Sequence, residues 1–134
     1  NYRLMMDGEI PCFEASFSYP AGISVDEIVK RIREKAGELE VSLIHNYNPV
    51  VFEKDSPMVK ALQKAYETVT GLDGRPVTTT GGTYAKAMPG IVPFGPSFPG
   101  QKGIGHNPNE WMMVEDLMAN ARIYALALYY LGML

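Results

Sequence analysis

The sequence is short of the residues that most often build disulfides and metal sites. Cys12 is the only cysteine among 134 residues, and His45 and His106 are the only histidines. A disulfide within the chain is therefore excluded, which fits a reducing compartment such as the cytosol. No catalytic motif surrounds Cys12, so we expect it to be a small buried side chain of the core.

Excess basic charge and long apolar runs are also missing. The formal net charge is −3, which gives no indication of nucleic-acid binding. The longest apolar run, residues 123–134, is shorter than the roughly 20 residues of a membrane span, and no signal peptide is recognisable. The motifs of serine hydrolases, P-loop proteins and dinucleotide-binding proteins are absent. We therefore expect a cytoplasmic protein without membrane or nucleic-acid partners.

The residues that are present predict alternating strands and helices. The apolar fraction of 46% and the charged fraction of 20% are typical of a globular protein with one core. Alternating and β-branched runs predict strands, which begin with a hairpin around Asp7-Gly8. The predicted strands cover residues 2–6, 10–19, 39–45, 75–80 and 91–94. This order of elements predicts the α/β (α+β) class, with a small α+β or βαβ unit in the first part.

Two helices are predicted from their capping residues. Ser24 with Glu27 three residues later forms a capping box at the start of the first helix. Ser56 followed by Pro57 opens the second helix, because proline is favoured at the first helical position. Gly71 suits the position just beyond the end of that helix. Both helices carry apolar residues at helical spacing and charged residues on the opposite side.

The last helix is predicted to begin between Asn109 and Val114 and to end near Leu131. Its second half is apolar on nearly every side, so we expect it to be buried in a larger body than this chain supplies. The chain also begins at Asn1 within a predicted strand. Both observations predict that the sequence is a fragment of a longer protein.

Glycine and proline are concentrated in residues 78–110, where we expect a binding site. Gly81 and Gly82 follow a predicted buried strand, so the backbone there can approach a ligand closely. Thr83 and the amides of the next turn would face the same space, and Lys86 adds a positive charge one turn later. These residues predict a seat for a carboxylate. The alternative is an ordinary strand-to-helix turn with an exposed lysine.

His106 lies in the same stretch, between glycines and a proline that fix its loop. A rigidly held neutral imidazole is suited to ligating a metal, with an outer-shell hydrogen bond from Glu110 or Asn107 fixing its orientation. Zinc needs three or four ligands, and no second histidine or cysteine is near in sequence, so spacing alone does not establish a site. His45 lies on a predicted strand, where a structural role is expected.

Three motifs in this order resemble a known family. They are GGTYAK at residues 81–86, PFGP at residues 93–96 and GHNPNE at residues 105–110. Together they are similar to the C-terminal part of the zinc-dependent aminoacylase/carboxypeptidase/dipeptidase superfamily (clan MH), in its bacterial Xaa-His dipeptidase (carnosinase-like) branch. On this resemblance, residues 1–52 are the last part of an inserted lid domain of the dimerisation type. Residues 53–134 are the last part of the catalytic domain.

The resemblance implies a hydrolase, a metallopeptidase that cleaves small peptides with two zinc ions, or with manganese as the alternative metal. It implies that His106 binds one metal ion and that Gly81, Gly82, Thr83 and Lys86 line the substrate pocket. The glutamate general base and the other ligands belong to the N-terminal half of the family, so no catalytic residue is assigned here. We expect this chain to be inactive without that missing half.

Two positions depart from the family pattern. Ser18 stands where the family usually has an arginine that binds the substrate's carboxylate. Lys86 stands where the family often has arginine, which keeps the charge but loses the bidentate fork. Both differences are expected to weaken binding of the substrate's carboxylate, and they leave the identity of the substrate undecided.

A non-catalytic module is the alternative function. The first half could bind an amino acid or self-associate, with the rest acting as a dimerisation arm. The apolar last helix and unpaired strand edges would favour such association. Formation of a homodimer is left open under both functions.

Overall fold

The computed structural model describes residues 2–79, 81, 83–88, 90–95, 98–101 and 103–134, which fall into two compact units. The first unit comprises Asn1–Val51 and Thr80–Ala87, and the second comprises Phe52–Thr79 and Met88–Leu134. The elements in chain order are β1 (Tyr2–Asp7), β2 (Ile10–Ala15), α1 (Val25–Ala36), α2 (Pro57–Thr70), a 3-10 turn (Tyr84–Lys86) and α3 (Val114–Leu131). The small α+β content agrees with the predicted class.

The first unit is built on the predicted hairpin. β1 and β2 pair antiparallel with Asp7 opposite Ile10, so the two-residue turn is Gly8-Glu9, one residue later than the predicted Asp7-Gly8. Gly8 has a φ of +61° and Glu9 does not have a positive φ, a combination that is typical of a type II′ turn. The second strand ends at Ala15, short of the predicted residue 19.

α1 adds an amphipathic helix to this unit. The Ser24 hydroxyl accepts a hydrogen bond from the Glu27 amide at 3.1 Å, which confirms the predicted cap. No described residue of the first unit is buried. Cys12, predicted to be a buried side chain, is half-buried on β2, because a two-stranded sheet without a second layer covers neither face.

The second unit has its core between α2 and α3. Leu62 and Ala65 of α2 pack with Ala127 of α3, and Ile123 is fully buried at 0% exposure. The predicted start of α2 is confirmed, since the Ser56 hydroxyl accepts from the Val59 amide at 3.3 Å. Its last turn is closed by a hydrogen bond from the Gly71 amide, and Gly71 is left-handed with a φ of +68°.

α3 begins and ends where the sequence predicts, but much of its apolar surface is uncovered. Leu117, Leu128 and Tyr129 are 57%, 72% and 63% exposed. Among the described residues, no helix is both long enough and apolar enough to cross a membrane.

Three predicted strands are not formed. Residues 39–45, 75–79 and 91–94 run without strand pairing, and Thr80 lies outside the described residues. The βαβ unit is therefore wrong for the described chain, because no strand follows α1. Alternation and β-branching fit a strand to a sheet, but only a neighbouring strand supplies the ladder of hydrogen bonds. The backbone carbonyl of Val41 accepts a hydrogen bond from the Arg33 guanidinium at 3.2 Å instead of one from a neighbouring strand.

The compact units are groups of contacting residues and leave the predicted domains untested. The identification of residues 1–52 with a lid domain and of 53–134 with a catalytic domain stays a prediction.

Candidate functional site

Thr83 organises the turn that carries the predicted carboxylate seat. Its hydroxyl accepts a hydrogen bond from the Ala85 amide at 3.2 Å, and its carbonyl accepts from the Lys86 amide at 3.1 Å. These bonds form the 3-10 turn Tyr84–Lys86. Threonine is suited to this position because its short side chain can bond the backbone ahead of it.

The turn places a cation on the first unit. Lys86 is half-buried, and no ion pair involving it occurs within the described parts of the chain. Its ammonium group is therefore available to a carboxylate as a point charge. Gly81 lies two residues before Thr83, which caps the turn, and Gly82, the other glycine of the predicted seat, is outside the described residues.

His106 lies on a tight turn with an unusual backbone. Its φ is +63°, and that of Asn109 is +62°. Non-glycine residues rarely adopt positive φ, although histidine and asparagine do so more often than most. The left-handed region costs an ordinary L-residue roughly 1–2 kcal/mol, so other contacts must hold the turn.

Side chains of the same motif supply those contacts. The Glu110 carboxylate accepts a hydrogen bond from the His106 amide at 3.0 Å. The Asn107 side chain donates to the carbonyls of Gly103 at 2.8 Å and Gly105 at 3.2 Å. Both side chains thus bond the main chain, whereas the sequence predicted a bond from one of them to the imidazole.

The described residues do not complete a metal site. Within residues 2–79, 81, 83–88, 90–95, 98–101 and 103–134, no group of three histidine, cysteine, aspartate or glutamate side chains could hold a metal ion. The exposed His106 imidazole fits the role of one ligand, whereas zinc takes three or four. Any metal centre formed by this motif must draw its remaining ligands from other residues.

The remaining predicted positions are separated between the units. Gly81, Thr83 and Lys86 belong to the first unit, and His106 belongs to the second. His45 belongs to the first unit, where its exposed ring lies 5.8 Å from the ring of Tyr47. Nothing in this contact suggests a ligand role for His45.

A polar network in the first unit was missed by the sequence analysis. The Tyr19 hydroxyl donates to the Asn46 side-chain oxygen at 2.8 Å. The Asn46 amide in turn donates to the Asn48 side-chain oxygen at 3.0 Å. The pairing of these asparagines depends on Tyr19, which is 27 residues from Asn46 in the sequence.

The family comparison covers most of the chain. The model of peptidase family M20/M25/M40 matches residues 7–130, a region that contains both the Lys86 turn and the His106 turn. No solved structure matches the chain significantly.

Several bacterial proteins are similar over most of the chain. The Beta-Ala-Xaa dipeptidase of Lactobacillus delbrueckii subsp. lactis is 36% identical over 114 residues, which are 84% of this chain and 24% of that protein. The Bacillus subtilis protein named "Putative dipeptidase YtjP" is 34% identical over 106 residues, which are 79% of this chain and 23% of that protein. The chain therefore spans about a quarter of the length of the curated relatives it matches.

Proposed function

Because the chain belongs to peptidase family M20/M25/M40, we propose that it contributes residues to the active site of a metal-dependent dipeptidase. Peptidases of this family are generally metal-dependent. The observation that carries the proposal is that the matched residues 7–130 include both the Lys86 turn and the His106 turn. The finer assignment, to the bacterial Xaa-His branch, rests on the order and separation of the three motifs at residues 81–86, 93–96 and 105–110.

His106 is proposed to supply one imidazole ligand to the metal. A pair of zinc ions, or manganese as the alternative, would supply an activated water for attack on a peptide bond. The turn around His106 presents the imidazole to solvent on a constrained backbone, which suits a ligand that must be placed accurately. The other ligands and the glutamate general base are proposed to come from the rest of a longer protein.

Lys86 is proposed to bind the carboxylate of the peptide substrate. Thr83 holds the turn by its hydrogen bonds, and the half-buried Lys86 side chain provides the charge. Gly81 and Gly82 are proposed to let the substrate approach the backbone. A lysine attracts a carboxylate without the fixed geometry of arginine, so we expect tolerance for small peptides of different shape.

The rest of a longer protein is the proposed partner of this chain. In the second unit, an apolar groove between the α2–α3 pair and residues 90–94 includes Met58, Tyr124 and Leu128, each at least 42% exposed. The curated relatives are about four times as long as the matched region. Their additional length is enough to supply a covering layer, and the chain alone is expected to be inactive.

A chimera tests the proposed function. This chain would replace the aligned region of the Lactobacillus Beta-Ala-Xaa dipeptidase, and hydrolysis of a β-alanyl dipeptide would be measured with added zinc or manganese. We expect metal-dependent hydrolysis that His106→Ala abolishes. Lys86→Ala should raise KM more than it lowers kcat, because a uniform binding contact is lost. Lys30→Ala, an exposed lysine of the same unit, is the matched control.

The alternative function predicts a different result. A folded chimera without hydrolysis at any metal concentration would overturn the dipeptidase proposal. If the chain itself then formed a stable metal-free dimer by light scattering, the self-association module would be supported instead.

A further inference from the structure

The Glu110 carboxylate bonds the main chain of His106, the proposed metal ligand. Its Oε2 atom accepts a hydrogen bond from the His106 backbone N–H at 3.0 Å. The Glu110 amide donates back to the carbonyl of Asn107 at 3.2 Å. The five-residue turn from His106 to Glu110 is thus closed by one side-chain bond to His106 and one main-chain bond to Asn107.

This bond acts on a residue whose backbone is in the left-handed region. His106 has a φ of +63°, and a histidine freed from restraint favours negative φ. A return to negative φ would turn the Cα–Cβ bond and carry the imidazole to a different place. Metal–ligand distances must be met to within about 0.2 Å, so such a change would remove the ligand from its metal.

Glu110 restrains His106 separately from the rest of the turn. The segment that leads into His106 is braced by the Asn107 side chain, which bonds the carbonyls of Gly103 and Gly105. Those bonds do not involve Glu110. Removal of the carboxylate should therefore release the His106 amide while the preceding residues 103–105 keep their conformation.

From this geometry we propose that Glu110 is a positioning residue, which holds His106 in the left-handed conformation that presents its imidazole. The inference rests on the proposed role of His106 as a metal ligand. Glu110 acts through the backbone and need not touch metal or substrate. A side-chain oxygen that accepts a hydrogen bond is sufficient, so glutamine should replace it and alanine should not.

The first experiment tests the geometry in this chain. Labelling of histidine alone with ¹³C and ¹⁵N gives signals from His45 and His106 only, which His106→Ala assigns. In Glu110→Ala we expect faster amide exchange at His106 and a changed one-bond Cα–Hα coupling, which depends on φ and ψ. Glu110→Gln should keep both values. Glu53→Ala, an exposed glutamate of the same unit, is the charge-matched control, and His45 is the internal reference.

The second experiment measures metal affinity in the chimera with the Lactobacillus dipeptidase. Loss of an outer-shell partner typically lowers metal affinity about 10- to 100-fold, and we expect a loss in this range for Glu110→Ala. Glu110→Gln should retain the affinity of the parent. Zinc alone is the probe, and circular dichroism confirms that each variant is folded.

The two proposals fail in different ways. If His106→Ala leaves zinc affinity unchanged, the proposed ligand role of His106 is wrong. If His106→Ala lowers affinity while Glu110→Ala does not, His106 is a ligand and the positioning role of Glu110 is overturned. Unchanged amide exchange at His106 in Glu110→Ala overturns the positioning role without any metal measurement.

Discussion

At the scale of single residues, the His106 turn depends on two left-handed positions that are not glycine. Glu110 restrains His106, whereas the left-handed conformation of Asn109 relies on the residue's own tolerance of positive φ. The two positions are therefore expected to respond differently to substitution.

Asn109 provides the cleaner test of this backbone strain. Asn109→Ala should lower the free energy of unfolding by about 1 kcal/mol, because alanine pays the steric cost of the left-handed region in full. Asn109→Gly should leave it nearly unchanged. Urea unfolding of the chain measures both variants. Equal stability of the alanine and glycine variants would contradict a left-handed residue at this position.

Asp73 and Arg75 form an exposed pair with a definite titration behaviour. Hydrogen bonds from the Arg75 side chain and amide lower the pKa of the Asp73 carboxyl below its ordinary value of 3.8. A lowered pKa in the folded state means that the pair contributes stability above the unfolded pKa and loses it as pH falls through the folded value. The contribution is small, since both groups are solvent-exposed.

An NMR titration tests this pair. In Arg75→Ala, the midpoint of the Asp73 carboxyl resonance should move up toward the ordinary range. Asp55, whose carboxylate pairs with Lys60 at 3.4 Å, serves as the reference because it lies away from the substitution. An unchanged Asp73 midpoint would show that Arg75 does not hold the carboxyl in its charged form.

At the scale of elements, the helices were predictable and most strands were not. The N-terminal ends of α1 and α2 depend on Ser24 and Ser56, whose hydroxyls accept hydrogen bonds from amides three residues later. Such information is local in sequence. The hairpin is also local, because its two-residue turn sets the register. Residues 39–45 alternate correctly for a strand, but pairing depends on residues far away in the sequence, and alternation cannot supply a partner.

In the candidate site, too, features that depend on neighbouring residues in the sequence were predictable and features that depend on the folded turn were not. Glycine and proline around His106 predicted a fixed loop, and Thr83 with Lys86 predicted a turn. The left-handed backbone of His106 and the bond from its amide to Glu110 were not predicted. Residue types indicate which side chains can accept hydrogen bonds, but only the folded turn determines whether the imidazole or the amide receives one.

The contact between α2 and α3 yields a test with a built-in control. Ile123→Ala should destabilise the second unit by roughly 2–5 kcal/mol, since it removes a fully buried side chain and leaves a cavity. Leu128→Ala on the same helix should have little effect on this chain, because Leu128 is 72% exposed. Thermal or urea unfolding distinguishes them. Similar losses for both variants would contradict the packing of α3 described above.

At the scale of the whole molecule, the exposed apolar side chains of α3 allow a second test with Leu128→Ala. In the proposed longer protein these side chains are covered. Leu128→Ala, neutral in this chain, should then lower the unfolding temperature of the chimera with the Lactobacillus dipeptidase. The same substitution is made in this chain and in the chimera, so its effect on intrinsic helix propensity is the same in both and cancels in the comparison. No change in the chimera would indicate that another surface meets the added polypeptide.

The two units alternate along the sequence, which affects how proteolysis and recombination can divide the chain. The polypeptide passes between them after Val51, after Thr79 and after Ala87, so neither unit is one continuous segment. A single proteolytic cut cannot separate the two units, because each product that contains a whole unit also contains part of the other. A gene fragment that begins at Phe52 would carry residues 80–87 without most of the unit they contact. Recombination at one site could not transfer one whole unit without part of the other, so the two are expected to be inherited together.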